Sequence, residues 1–287
     1  MPAQLIDAQI AQGWHGSLDL TLNHQAGKTV PFRSKTAAPL RLQRPFYPEG
    51  DAVCHSVIVH TAGGIVGGDR LTLALKLEPH SHALVTTAAA NKVYRSSGAI
   101  ASQSTTLQLA AQTRMEWFPQ ETIVFNGANF QQSLRVDLAD SAIWLGWDIT
   151  RFGRSARGEQ FIMGRWRSDT EVWQGNHPVW IDRQQLEGGS DGLTSPHGLG
   201  GYPVIGSFAL IGCPAEAAWI EQARHLGDRL NLSQTGDFGV TALINGLLCR
   251  YRGTASQSAR RWFIKVWQDL RPLCLNRPAC QSRIWGI

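Results

Sequence analysis

The sequence predicts a mainly β protein with two helices near its C-terminal end. Up to about residue 210, short runs of alternating apolar residues recur between turn-forming residues, as they do in sandwiches, barrels and β-solenoids. Two later stretches repeat their apolar residues at helical spacing instead. The sequence shows no obvious internal repeat, so the pattern alone leaves a β-sandwich and a β-helix-like stack both open.

The predicted strands follow from alternation and from one continuous apolar run. Residues 71–77 carry leucine at every second position, which is typical of a half-buried strand. Residues 142–147 are nearly all apolar and predict a strand buried on both faces. The remaining predicted strands lie around residues 107–109, 134–138, 160–167, 170–174 and 179–183.

Two amphipathic stretches predict the helices. In residues 215–230 and 256–270, the apolar side chains fall on one helical face, and Pro272 is expected to stop the second helix. Residues 187–203, between strands and helices, are rich in Gly, Ser and Pro and predict a long exposed loop. Because strand-like sequence resumes at Val204, we expect one domain over residues 1–287, with a helical portion from about residue 215.

Composition narrows the class of protein. The net charge of +5 comes from scattered residues without a basic run, so we predict no nucleic-acid partner. We predict no membrane span and no signal peptide, because the chain has no long apolar run and no basic segment before an apolar one. Five scattered cysteines without C-x-x-C indicate free thiols in a reducing cytosol, and therefore a cytoplasmic protein.

The most informative segment is a glycine-rich turn that ends in Asp69 and leads into a strand. Its sequence, GGIVGGD, contains four glycines that allow tight turns around one carboxylate. It is not a phosphate-binding loop, because it lacks G-x-x-x-x-G-K-[ST] and a strand follows where such a loop needs a helix N-terminus. We therefore do not expect this chain to bind a nucleotide.

Four motifs in order, GGIVGGD, TTAAANKVYRS, EWFPQE and GRSARGE, resemble those of the urease accessory protein family UreD, also called UreH. The closing segment from GLLCRYRG to RIWGI fits the same family. The resemblance implies a β-helix-like fold of stacked sheets with a couple of helices. It also implies a non-enzymatic scaffold that assembles with UreF and UreG on apo-urease, where GTP hydrolysis by UreG drives transfer of Ni²⁺.

Four carboxylates inside or near these motifs are candidates for a transient Ni²⁺ passage: Asp69, Glu121, Asp148 and Glu159. Each has apolar or glycine neighbours, where a charge must be paired, hydrated or metal-bound. Carboxylates and water hold an ion briefly, which suits a passage and implies no tightly bound cofactor. The alternative is a set of buried ion pairs, for which Arg154 and Arg157 are available partners.

Other polar residues have structural, interface or catalytic interpretations. We predict Lys92, Tyr94, Arg95 and Arg154 to form structural contacts or a partner interface. A pocket near Lys92 and Tyr94 would instead suit a stand-alone hydrolase, and a small-ligand-binding β module is a third possibility. His80 and His82 form H-x-H in a predicted turn, and we expect both to be surface residues.

Overall fold

The computed structural model describes residues 13–154 and 157–285 as two stacked β-sheets with two helices against the second sheet. Residues 1–12, 155–156 and 286–287, which include most of the N-terminal segment and part of GRSARGE, lie outside the described residues. The first sheet has seven strands in the order β14-β13-β11-β8-β5-β1-β2. These strands are β1 (His15–Gln25), β2 (Lys28–Ala37), β5 (Arg70–Leu77), β8 (Ala101–Leu109), β11 (Asn129–Leu138), β13 (Arg165–Gln174) and β14 (His177–Glu187).

The second sheet has ten strands, eight of them in the order β16-β17-β15-β12-β9-β6-β4-β3. These are β3 (Leu40–Leu42), β4 (Val53–His60), β6 (His82–Thr87), β9 (Arg114–Phe118), β12 (Ile143–Phe152), β15 (Val204–Ile211), β16 (Gly236–Leu243) and β17 (Gly246–Gly253). Two short strands, β7 (Asn91–Val93) and β10 (Thr122–Val124), pair with each other, and β10 also pairs with β12.

From β4 to β13 the chain alternates between the two sheets and winds as a β-helix. Each coil adds one strand to each sheet, so β5, β8, β11 and β13 pair in parallel, as do β4, β6, β9 and β12. Antiparallel strands extend the sheets at both ends of this coiled region. The mainly β fold is confirmed, and the β-helix-like stacking implied by the family resemblance is the form it takes.

A structural repeat appears in the turns from the first sheet to the second. His80, Gln112 and Ser141 occupy equivalent positions in three such turns, with φ of 66°, 60° and 61°. In each turn a backbone N–H donates to the carbonyl three residues earlier. These three side chains differ in chemistry, which explains why the repeat is not visible in the sequence.

The connections in the opposite direction are longer and collect at the other end of the sheets. Among the described residues they cover 61–69, 94–100, 125–128, 153–154 and 157–164, and we call this end the motif edge. The parallel register brings the connections side by side, because each precedes a strand of the first sheet. Parts of all four family motifs therefore meet at, or lead into, one edge of the molecule.

The two helices cover the outer face of the second sheet. Helix α1 (Ala217–Arg229) and helix α2 (Ser256–Leu275) pack against this face. Trp262, Phe263 and Trp267 of α2 are buried there in a core that is separate from the one between the sheets. Among the described residues, no helix is long and apolar enough to cross a membrane.

Two local sequence predictions were wrong. Helix α2 continues through Pro272 to Leu275, because buried Arg271 and Cys274 hold its last turn in place. Residues 160–164 belong to a loop rather than a strand, and β13 runs unbroken across the two strands predicted from 160–167 and 170–174. The predicted loop at 187–203 is confirmed as the connection from β14 to β15.

Candidate functional site between the sheets and at the motif edge

A row of polar side chains crosses the interior between the two sheets. We call it the polar lane, and it consists of Gln103, Gln132, Asp148, Ser168, Asp182 and Ser207. Gln132 lies near its centre and donates to Asp148 Oδ2 at 2.7 Å and to Ser168 Oγ at 3.0 Å. Each residue occupies an inward position of its strand, so the alternation of neighbouring strands places the polar groups in one interior layer.

Three adjoining cavities follow the polar lane. The inner chamber, of about 270 Å³, reaches the surface beside Gly63 and Lys92 at the motif edge. The constriction, of about 20 Å³, lies beside Asp148 and Asp182 and has room for about one water molecule. The outer cleft, of about 300 Å³, opens beside Arg250 at the far edge of the sandwich.

The three cavities share lining residues and are therefore neighbours. The inner chamber and the constriction both contact Asp148 and Ser168, and the constriction and the outer cleft both contact Ser207. Asn91 Oδ1 is buried in the inner-chamber wall without a hydrogen-bond partner in the described part of the chain. Because buried polar atoms are normally paired, Asn91 Oδ1 is available to accept from a water molecule or another polar guest in the inner chamber.

Asp148 is the most perturbed carboxylate of the lane. Burial raises the pKa of Asp148 to about 6, the neighbouring carboxylate of Asp182 adds to the rise, and the hydrogen bond from Gln132 opposes it. At neutral pH, Asp148 is therefore ionised but poorly compensated. Such a group attracts a cation strongly in a low-dielectric interior.

The structure places Asp69 in a different role. Its two oxygens accept backbone N–H groups of Trp14 at 2.8 Å and Val66 at 2.9 Å. It thereby holds the glycine-rich turn, where Gly68 takes a left-handed φ of 95°. This arrangement matches the structural alternative for Asp69 and leaves both of its oxygens occupied.

Glu121 and Glu159 also have partners of opposite charge. Glu121 pairs with Arg260 of α2. Glu159 pairs with Arg154 and accepts the backbone N–H of Asn126 at 2.9 Å. Burial opposes but does not prevent the lowering of the Glu159 pKa by these donors. Within residues 13–154 and 157–285, no group of three or more His, Cys, Asp and Glu side chains is arranged to hold a metal ion.

The predicted interface residues lie at or beside the motif edge. The Tyr94 hydroxyl donates to the Gly63 carbonyl at 3.0 Å, and its ring meets Phe125 edge-on at 5.0 Å. The Arg154 guanidinium also contacts Phe125 and lies 4.5 Å from the centre of its ring. Tyr94 therefore anchors a loop through its hydroxyl, an arrangement that favours a structural role over acid–base chemistry.

Exposed apolar and basic side chains share this edge. Lys92 and Arg95 are exposed, and Arg95 packs its methylene groups close to Gly127. Four apolar side chains of the same edge are about half exposed or more: Val66, Ile100, Ile162 and Met163. A surface groove of about 760 Å³ runs beside Ile100 and Arg165. Such a mixture is typical of a surface that binds another protein.

A second polar cluster lies under helix α2 and was not predicted from the sequence. We call it the buried clamp, and it consists of Glu49, His55, His82, Glu116, Trp267 and Arg271. The Glu116 carboxylate, which is fully buried, accepts from His82 Nε2 at 2.7 Å, Trp267 Nε1 at 2.6 Å and Arg271 Nε at 3.0 Å. Burial alone would raise the pKa of Glu116, but His82 and Arg271 lower it to about 2.

The clamp corrects the expectation for the H-x-H pair. His80 is an exposed turn residue, as predicted, but His82 begins β6 and is buried against Glu116. Burial lowers the pKa of His82. The prediction that both histidines are surface residues was therefore wrong for His82, because the strand starts earlier than the sequence suggested. The EWFPQE motif, which supplies Glu116 and Glu121, fastens both ends of α2 to the second sheet.

Known proteins are similar in sequence over nearly the whole chain. The family model described as UreD urease accessory protein matches residues 15–286. The urease accessory protein UreD of Nostoc punctiforme is 51% identical over 283 residues, which is 99% of this chain and 100% of that protein. The UreD of Acaryochloris marina is 54% identical over 274 residues, covering 96% of each chain. The UreD of Dechloromonas aromatica is 39% identical over 276 residues, covering 95% of this chain and 94% of that protein.

These similarities extend over nearly the whole chain and define its class as an accessory protein of urease. The chain belongs to the UreD family, and the resemblance seen in the four motifs is confirmed.

Proposed function

We propose that this protein is a non-enzymatic scaffold that bridges apo-urease to UreF and UreG in the cytoplasm and passes Ni²⁺ along the polar lane. Ni²⁺ is its cargo and is not retained as a cofactor. GTP hydrolysis belongs to UreG in this scheme, since the chain has no phosphate-binding loop.

The observation that carries the proposal is a polar lane through an otherwise apolar sandwich. Asp148 provides negative charge at its centre, Ser168 provides a neutral hydroxyl oxygen beside it, and the amide nitrogen of Gln132 donates to both. A cargo ion must bind well enough to enter and weakly enough to leave. One uncompensated carboxylate allows this, because Asp182 beside Asp148 is already paired with Arg250. Asp69, Glu121 and Glu159 do not line the lane. They stabilise the fold around it through their contacts with the glycine-rich turn, α2 and Arg154.

The motif edge is the surface that we assign to the assembly partners. Its exposed Ile100 and Ile162 provide apolar anchors, and Lys92 and Arg95 provide positive charge beside the mouth of the inner chamber. We expect UreF to contact this edge through apolar and acidic side chains. A partner bound there would cover the mouth, so an ion could enter the lane without meeting bulk solvent.

The passage is tested by narrowing it. Ser168→Leu places an apolar side chain between the inner chamber and the constriction, and Asp148→Asn removes the charge with little change of shape. We expect both variants to assemble with UreF, UreG and apo-urease. Urease activation should become about tenfold slower with Ser168→Leu, equivalent to ~1.4 kcal/mol of barrier.

The matched control is Ser104→Leu, which adds the same side chain on the exposed face of the first sheet. Complex recovery and activation should be those of the parent. If Ser168→Leu and Asp148→Asn assemble normally and activate urease at the parent rate, the passage proposal is wrong.

The partner surface is tested by adding charge to it. Ile100→Asp combined with Ile162→Asp should prevent co-purification with UreF, because both exposed apolar anchors become acidic. Ile244→Asp is the control, since Ile244 is 93% exposed in the hairpin at the opposite end of the sheets. Retention of UreF by the double variant, at the level of the Ile244 control, would place the interface elsewhere.

A further inference from the structure

An arginine stands at the outer end of the polar lane. Arg250 of β17 places Nη2 at 2.8 Å from Asp182 Oδ1 and donates from Nη1 to Ser207 Oγ at 3.2 Å. Both acceptors line the constriction, and Ser207 and Arg250 also line the outer cleft. The guanidinium thus ties the two sheets together across the outer end of the lane, in the position that a cation would have to pass.

The neighbouring arginine is held more firmly. Arg252 forms an ion pair with Asp237 at 2.8 Å and donates to the carbonyls of Pro196 and Gly198, both at 2.6 Å. Arg250 has fewer acceptors, and its side chain is 42% exposed towards the outer cleft. Both arginines line the outer cleft, but a movement of Arg250 breaks fewer contacts than a movement of Arg252.

The strand opposite Arg250 leaves room for that movement. In the register of β16 with β17, Arg250 pairs with Gly239. A Cβ atom added at Gly239 would meet no heavy atom within 4 Å, so the space beside Arg250 is open. Asp237 lies two residues from Gly239 on the same face of β16, within the diagonal reach of a long side chain. Asp237 already accepts from Arg252 through one oxygen, and its carboxylate has further acceptor capacity for Arg250 beside the open space.

We propose that Arg250 is the gate of the polar lane: it closes the outer end while paired with Asp182 and Ser207, and opens it by swinging over Gly239. This inference rests on the proposed function of the lane. A divalent cation bound at Asp182 carries twice the charge of the guanidinium that it displaces, whereas a monovalent cation carries no more charge than the guanidinium. Arg250 therefore also selects for divalent cargo.

The gate is tested in the assembled complex with UreF, UreG and apo-urease at limiting Ni²⁺. Arg250→Gln removes the charge that closes the lane, and activation should become about two- to fivefold faster, the range expected when a partly exposed ion pair no longer holds the closed arrangement. Gly239→Leu fills the open space without touching the ion pair, and activation should become slower.

Two matched controls lie on β14 and β16, the strands that carry Asp182 and Gly239. Arg183→Gln removes an arginine next to Asp182 that points outward and pairs with Glu171. Thr241→Leu adds the same side chain to an exposed position of β16 beside Leu248 instead of Arg250. Both controls should assemble and activate urease at the parent rate.

The outcomes separate the gate from the passage. If Ser168→Leu slows activation but Arg250→Gln and Gly239→Leu behave as the parent, the passage stands and the gate is wrong. If Arg250→Gln assembles normally but slows activation, Arg250 supports the lane instead of closing it, and the gate is again wrong. If Ser168→Leu has no effect either, the proposed passage fails and the gate fails with it.

Discussion

Two carboxylates in the interior of this protein differ in almost every respect. Glu116 in the buried clamp accepts from three side chains, one of which is the cation Arg271, and its pKa is lowered to about 2. Asp148 in the polar lane has Gln132 as its side-chain donor and faces a second carboxylate, and its pKa is raised to about 6. Both sit on strands of the second sheet, but they face opposite sides of it.

Under the proposed function, the difference separates the carboxylates that stabilise the fold from the one that meets the cargo ion. A buried charge with a full set of partners holds elements together, whereas one with few partners keeps its attraction for a passing cation. Glu116 connects α2 to the sheet, and Asp148 lies beside a cavity. The family motifs supply the first kind of carboxylate more often than the second, since Asp69, Glu121 and Glu159 are all partnered.

The largest expected effect comes from the centre of the clamp. Arg271→Leu leaves Glu116 and Glu49 buried without their cation, and the free energy of unfolding should fall by about 3–5 kcal/mol. Urea unfolding measures this loss. The control Arg135→Leu breaks exposed pairs on the outer face of the first sheet and should change stability by less than about 1 kcal/mol. Equal losses in the two variants would show that the clamp is not the main anchor of α2.

The clamp should also set the acid limit of the protein. Because Glu116 has a folded pKa near 2 and an ordinary value of 4.5, its contribution of about 3 kcal/mol is fully present above pH 4.5 and is lost as pH falls towards 2. His82 acts in the same direction, since its lowered pKa means that protonation below pH 6.5 favours unfolding.

Unfolding free energies measured across this pH range should therefore fall with acid in the parent. In Glu116→Gln, stability is lower at neutral pH and its dependence on pH between about 4.5 and 2 should be weaker. An unchanged slope in that variant would show that other carboxylates determine the acid limit.

The histidine pair gives a smaller and more local comparison. His82→Ala removes a buried donor to Glu116 and should cost about 1–3 kcal/mol, whereas His80→Ala at the exposed turn should cost under about 1 kcal/mol. Thermal unfolding of the two single variants measures the difference. Similar melting temperatures for the two variants would show that His82 contributes little to the stability of the clamp.

The smallest effect is a gain in stability at the lane. The pKa of Asp148 is raised, so its ionised form opposes folding increasingly as pH rises from about 3.8 to 6. Asp148 is only partly buried, so solvent reduces the effect below what the pKa shift alone implies. Asp148→Asn should therefore stabilise the protein by about 1 kcal/mol at pH 7, but not below pH 4. The same variant should slow urease activation. A variant that is destabilised at pH 7 would show that Asp148 is a structural residue.

More of the fold than of the site could be predicted from the sequence. Alternation of residues 71–77 indicated β5, and the resemblance of the motifs to the UreD family implied stacked sheets, which the pattern alone left open. The coil repeat was not predictable, because the left-handed turn position accepts His80, Gln112 and Ser141 alike. Pro272 failed as a helix end because tertiary contacts of the last turn overrode local propensity.

The site was predictable in its residue types but not in its pairings. Glu121 and Asp148 look alike in sequence, since both follow aromatic and apolar residues. The partner of Glu121 is Arg260, 139 residues later, and the partner of Glu116 is Arg271, 155 residues later. Only the three-dimensional fold shows which carboxylate is neutralised by a distant arginine and which one faces a cavity.

The polar lane is tested most directly by following the ion itself. Radioactive Ni²⁺ is loaded onto the assembled complex, GTP is added together with excess chelator, and the metal that reaches urease is counted. We expect transfer to persist despite the chelator in the parent and in Ser104→Leu, because the ion travels inside the protein, and to be lost in Ser168→Leu. Transfer that the chelator abolishes in the parent, or that Ser168→Leu leaves intact, would contradict passage through the polar lane.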